Sequence, residues 1–341
     1  MPMPGLRHLI PALAIVIAPL LQAAESPRAQ WQTDIAAGYE TLAEHVIDLH
    51  QTTQTYCEAP SPENRAHVEN AWKSAFLQWQ RVRFVDFGPI EQNSRAWQIQ
   101  FWPDTKNLVA RKVGFALDQN TADEQQVAEA GVALQGFPAM EYLLFDTRMN
   151  QADDALPAER TCALLTAIAG HLAATTGSLS ADWQRFSSHF LETDSYTART
   201  VEAGLNGLEI LLDRRLADPM GLRGTPKRNP YLGDAWRSGY SLAAIRASIQ
   251  GMDRYLRPGL DRLLTQQGHQ ELAEKLDKQF ESTLEELDAL PDALAPSLED
   301  DAKYRGLQSL FIEVTQLEQV LENRIAPALG IRRGFNSSDG D

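Results

Sequence analysis

What most restricts the fold of this chain is the spacing of its large apolar residues. They recur three to five apart over long stretches: Trp31, Ile35, Tyr39, Leu42, Val46 and Leu49; Val68, Trp72, Ala75, Trp79 and Val82; Tyr196, Val201, Leu205, Leu208, Leu212 and Leu216; Leu307, Leu310, Val314, Leu317 and Leu321. That spacing lays one apolar stripe along a helix and does not suit a strand, whose side chains alternate between two faces. Proline and glycine cluster between the stripes, at Ala59-Pro60-Ser61-Pro62, Phe87-Gly88-Pro89, Trp102-Pro103-Asp104, Asp218-Pro219-Met220-Gly221, and in the stretches 226–230 and 291–296. These residues interrupt helical backbone, so the clusters read as connections. The expected fold is all-α, built as helical bundles.

An internal echo points to two bundles related by duplication. Gly136-x-x-x-x-Glu141-x-Leu143-Leu144 matches Gly204-x-x-x-x-Glu209-x-Leu211-Leu212, with Asp146 and Asp213 following. Ala71-Trp72 followed by Ser74 recurs as Ala235-Trp236 followed by Ser238. The polar stretch 146–157, with Asn150, Asp153 and Asp154, reads as the link between the halves. The expected division is residues 1–24 as an export signal, 25–150 as an N-terminal bundle and 151–341 as a C-terminal bundle.

The export signal rests on Arg7, an apolar run from Leu9 to Leu21 and the small pair Ala23-Ala24, after which cleavage is expected. The run is short for a membrane span and polar sequence follows, so the mature chain is expected to be soluble in the periplasm, with no transmembrane segment. A net charge of −15 argues against nucleic acid, which demands a basic stripe. There are two cysteines, Cys57 and Cys162. In an oxidising compartment they form either one disulfide or two buried thiols, and sequence alone leaves both open.

The segment Gly136-Phe137-Pro138-Ala139-Met140-Glu141-Tyr142-Leu143-Leu144-Phe145 carries the chemistry. Glu141 is one acid in an apolar stretch, and a buried carboxylate is costly unless something pairs with it. Pro138 reads as lying mid-helix, where it removes a hydrogen bond and kinks the backbone beside the acid. Arg81 and Arg83 are possible ion-pair partners, since arginine is seldom buried alone. Asp104 reads as a helix cap. Histidines are poorly spaced for a metal: His45 and His50 lie five apart, and His171, His189 and His269 are isolated. The sequence holds no Gly-x-Ser-x-Gly elbow, no His-Glu-x-x-His and no phosphate-cradling glycine pattern.

Taken together, the Gly-Phe-x-x-x-Glu-Tyr-Leu-Leu segment, Trp102-Pro103-Asp104 before it and Gly334-Phe335-Asn336-Ser337-Ser338-Asp339-Gly340-Asp341 at the end make this chain resemble the imelysin-like proteins. The resemblance implies two helical bundles, export, and a role linked to iron uptake or, in another view of the family, to metallopeptidase activity. The family hallmark is Gly-x-His-x-x-Glu. Its Gly falls on Gly136 and its Glu on Glu141, but Pro138 stands where the His belongs. Proline offers no metal-binding atom, so proteolysis is disfavoured and no catalytic residue is assigned. The expectation is a non-catalytic protein binding iron or another divalent cation at Glu141, with Asp86, Asp104, Glu209 and Asp213 as candidate further ligands. An iron-uptake or envelope protein is the expected partner. The alternatives are a metallopeptidase, for which His45 or His189 would have to stand beside Glu141, and a metal-free interaction module with Glu141 paired to arginine.

Overall fold

The computed structural model describes residues 26–224 and 226–332. The segment expected to be an export signal and the Gly334–Asp341 motif lie outside the described residues. Among the described residues the fold is all-helical. Helices α1 (Pro27–Glu58) and α2 (Pro62–Val82) form a hairpin. Both start the same way: a serine hydroxyl, Ser26 or Ser61, accepts a backbone N–H of the first turn, and proline takes the first helical position. Shorter helices follow: α3 (Arg95–Ile99), α4 (Leu108–Asp118), α5 (Glu124–Ala130) and α6 (Gly136–Phe145). Then come the long α7 (Glu159–Glu192) and α8 (Ser195–Ile210), and after a loop α9 (Ser241–Tyr255) and α10 (Arg257–Gln266). The last are α11 (Gln270–Asp288), α12 (Ala295–Glu299) and α13 (Asp301–Val320).

Of the periodic stripes, all but Tyr196 are buried in one continuous apolar core. Helix α1 packs along both α2 and α7, and α2 also packs on α9. The core therefore runs without a break across the polar stretch that follows α6. Asp146, at the head of that stretch, is buried at 4% exposure and ion-paired to Arg237 rather than facing water. Cys57, in the last turn of α1, and Cys162, in the first turn of α7, are joined as a disulfide with Cα atoms 5.5 Å apart.

Two long helices end in π-helical turns, α8 through Leu211–Ala217 and α13 through Leu321–Ile325. Such wider turns displace side chains from the ordinary helical register. The first contains Arg215, which is 2% exposed.

Pro138 does not kink a helix. Helix α6 begins at Gly136, so the proline lies in the first turn, where the amide it lacks has no partner within the helix anyway. The motif glycine has a separate reason. Gly136 has φ +67°, and a Cβ there would stand 2.1 Å from the carbonyl oxygen of Ile99. Only glycine lets α6 start so close to the end of α3.

Candidate functional site

Helix α6 carries Glu141 into the interior, where it is 4% exposed. Its Oε1 accepts two hydrogen bonds from Ser238, one from the backbone N–H at 2.9 Å and one from the hydroxyl at 2.8 Å. Burial pushes the carboxyl above its ordinary range; the Ser238 bonds and the Arg237 charge oppose that rise, and the charge of Asp234 adds to it. Ser238 belongs to the loop before α9, whose backbone turns sharply at Ala235 (φ +49°) and Gly239 (φ +77°). Arg237 of the same loop ion-pairs with Asp146 at 2.8 Å. Burial raises the Asp146 carboxyl, but hydrogen bonds from Arg237 and Arg148 outweigh it and hold the group below the ordinary range.

Glu141 lines a cavity of about 280 Å³. Trp72, Phe101, Trp102 and Trp236 supply aromatic wall, Pro138 borders the same space, and Asp234 stands among its lining residues. The position vacated by the hallmark histidine therefore does face the site. Neither His45, close to the Ser74 carbonyl, nor His189, on the aromatic group around Phe186, lines it.

Asp234 anchors a buried polar cluster behind the cavity. Its Oδ2 lies 3.1 Å from Arg215 Nη2 and 3.8 Å from Arg83 Nη1, and accepts from Gln100 Nε2 at 3.3 Å. Gln100 Oε1 in turn accepts from Trp79, Gln80 and Arg83 at 2.8–2.9 Å. Arg215 also donates to Gln80 and Ser248. Two atoms of the cluster are left over: Asp234 Oδ1 and Arg215 Nε are buried without a hydrogen-bond partner, a costly arrangement for charged groups.

The structure disperses the other candidate ligands. Asp104 lines the cavity, but its two oxygens accept the backbone N–H groups of Leu108 and Val109 and so cap α4. Asp86 borders a different cavity and is held by Asn206 and Arg199. Glu209 and Asp213 are not part of the lining, and Asp213 ion-pairs with Arg223. Among the described residues no three or more His, Cys, Asp or Glu side chains gather as a metal site. Arg81 and Arg83 do not hold Glu141 either: Arg81 donates to Gln250 and Arg83 to Gln100. The residues missed in the sequence are Ser238, Asp234, Arg215 and Gln100. Ser238 alone left a trace there, as the end of the repeated Ala-Trp-x-Ser.

The family model described as imelysin matches residues 35–321. The chain belongs to the imelysin family. This imelysin-family chain is 24% identical over 321 residues to iron-regulated protein A of Synechococcus elongatus, covering 86% of this chain and 83% of that protein. Its fold matches an imelysin-like protein from Psychrobacter arcticum with a TM-score of 0.79 at 22% identity, covering 95% of this chain and all of the other. A putative iron-regulated protein A precursor from Parabacteroides distasonis matches with a TM-score of 0.63 at 14% identity, covering 87% and 95%.

Proposed function

We propose that this imelysin-family protein is an exported, non-catalytic binding component of an iron-uptake system, and that iron is its cargo in the cavity over Glu141. The observation that carries the reading is a buried carboxylate that lines a cavity and takes both of its hydrogen bonds through one oxygen. Carboxylate oxygen suits hard cations, and the unpartnered Oδ1 of Asp234 adds an oxygen of the same kind close by. Pro138 withholds the imidazole nitrogen that a zinc peptidase would use. With two carboxylates facing this region, a cation here is completed by oxygens it carries in, from water or from a small chelator. The link to iron comes from the name of the Synechococcus relative, and the link to export from the apolar run 9–21. An envelope protein of the uptake machinery is the expected partner.

The test is calorimetric titration with iron(III), kept soluble by a weak chelator, into the protein and into Glu141→Gln. Binding by the first and not the second is expected. Equal binding by both, or by neither, overturns the proposal.

A further inference from the structure

Behind Trp102 lies a second cavity, of about 380 Å³, separated from the first by a wall to which Gln100 and Trp102 contribute on both sides. We propose that this second cavity binds a small, flat monocarboxylate, with the Arg83 guanidinium gripping the carboxyl group and the indoles of Trp79, Trp97 and Trp102 walling its apolar body.

Arg83 and Arg215 share one carboxylate, Asp234, and the nearer of the two to it is Arg215, at 3.1 Å against 3.8 Å. Of these two guanidinium charges, Arg83 is the less closely answered. Burial and then the Arg215 charge drag the Arg83 guanidinium down to about 9, with Asp234 only partly restoring it. A guanidinium presents five N–H donors in a planar fork. Among the described residues Arg83 makes one hydrogen bond, from Nη1 to Gln100 at 2.9 Å. An anion of charge −1 that accepts from the remaining edge answers that charge.

The walls narrow the ligand further. Trp102 lies with its ring centre 5.6 Å from the Arg83 guanidinium carbon and 5.7 Å from that of Arg215, beside both without neutralising either. Trp97, on the short helix α3, is 47% exposed and packs against Phe101 with ring centres 5.9 Å apart. A large aromatic left half in water at the border of a cavity is poised to cover a flat ligand. Asp86 and Glu91 also line the space. Glu91 accepts the Gly88 N–H, and Asp86 accepts from Asn206 through Oδ2, while its Oδ1 has only the ion pair with Arg199 at 3.4 Å and no hydrogen bond. Their charges oppose any anion and a dianion such as phosphate twice over, so among anions that fit the arginine fork a planar monocarboxylate is the least opposed. The volume lies at the small end of ligand pockets, which run from about 300 to 1,000 Å³, and accommodates one or two fused rings.

This site does not depend on Glu141 or on iron, so its failure and that of the cation reading are distinguishable. The experiment is isothermal titration calorimetry of chelator-treated mature protein at neutral pH with benzoate and indole-3-acetate, and with benzamide as the uncharged control. Both carboxylates are expected to bind, benzamide at least about tenfold more weakly. Arg83→Gln is expected to lose about tenfold or more in carboxylate affinity. Trp97→Ala, a change at a half-exposed position, is expected to weaken binding several-fold with an unaltered melting temperature, and Glu141→Gln to leave binding unchanged. Benzamide binding as well as benzoate overturns the proposal. So does the absence of heat with either carboxylate up to about 10 mM, or affinity that survives Trp97→Ala in full.

Discussion

Asp234→Asn is the substitution that most directly probes how the interior around the two cavities is held. Asp234 and Arg215 are each 2% exposed and 3.1 Å apart. Asparagine keeps the shape and an acceptor oxygen, so the Gln100 bond to Oδ2 at 3.3 Å survives. What disappears is the charge facing Arg215 and, at 3.8 Å, Arg83. Stranding one member of a buried ion pair costs about 3–5 kcal/mol. Arg83 adds a smaller share, because it is farther away and its side chain is 21% exposed. The overall loss is therefore expected near 3–5 kcal/mol. In a chain of this size that lowers the melting temperature by roughly 5–10 °C. Urea unfolding at neutral pH measures it, with Arg215→Met/Asp234→Leu as the companion variant. With the closer pair of charges replaced by apolar groups, that companion should recover part of the loss; Arg83 keeps its charge, and Gln80, Gln100 and Ser248 lose buried partners. A single variant within about 1 kcal/mol of the parent would refute the reasoning, by showing that the carboxylate contributes no net attraction to the arginines.

Three further perturbations follow from the same geometry. Glu141→Gln keeps an acceptor for Ser238 and removes a buried charge whose titration is raised in the native state. The native protein then holds a proton that the unfolded chain has already released, so the parent loses stability as pH rises above the ordinary carboxylate range. The variant should equal or exceed the parent in melting temperature at pH 7 and show a flatter profile from pH 4 to 8; a lower melting temperature throughout contradicts this. Removing the cross-link between Cys57 and Cys162, which are 105 residues apart, should cost about 4.8 kcal/mol by the loop-entropy relation. Urea unfolding of the double serine variant checks it, and a cost below about 2 kcal/mol contradicts it. Gly136→Ala puts a Cβ 2.1 Å from the Ile99 carbonyl at φ +67°, so it should destabilise by well over 1 kcal/mol; circular-dichroism melting decides, and a neutral effect contradicts the close approach.

The sequence carried the fold further than it carried the site, and particular residues show why. The stripes on α1, α2 and α13 are local patterns, and each was buried as its spacing required. The place of Pro138 in the first turn is not legible in the sequence, because the start of α6 is not fixed locally. It is fixed by the approach of Gly136 to the end of α3, which only the folded chain brings about. The arginine partners of Asp234 come from the residue that caps the end of α2 and from the π-helical turn after α8, and no spacing in the chain announces that meeting. Glu141 was recognisable because one acid in an apolar helix must be answered. Its partner was not an arginine but Ser238, whose backbone N–H and hydroxyl no pairing of opposite charges would single out.

The central claim is that Glu141 holds iron as cargo. The most direct test is elemental mass spectrometry of the protein purified from its host cells without chelator, beside Glu141→Ala prepared in the same way. The account predicts near-stoichiometric iron in the parent and its loss in the variant. Metal content equal in the two proteins, whether iron is present in both or absent from both, would contradict it.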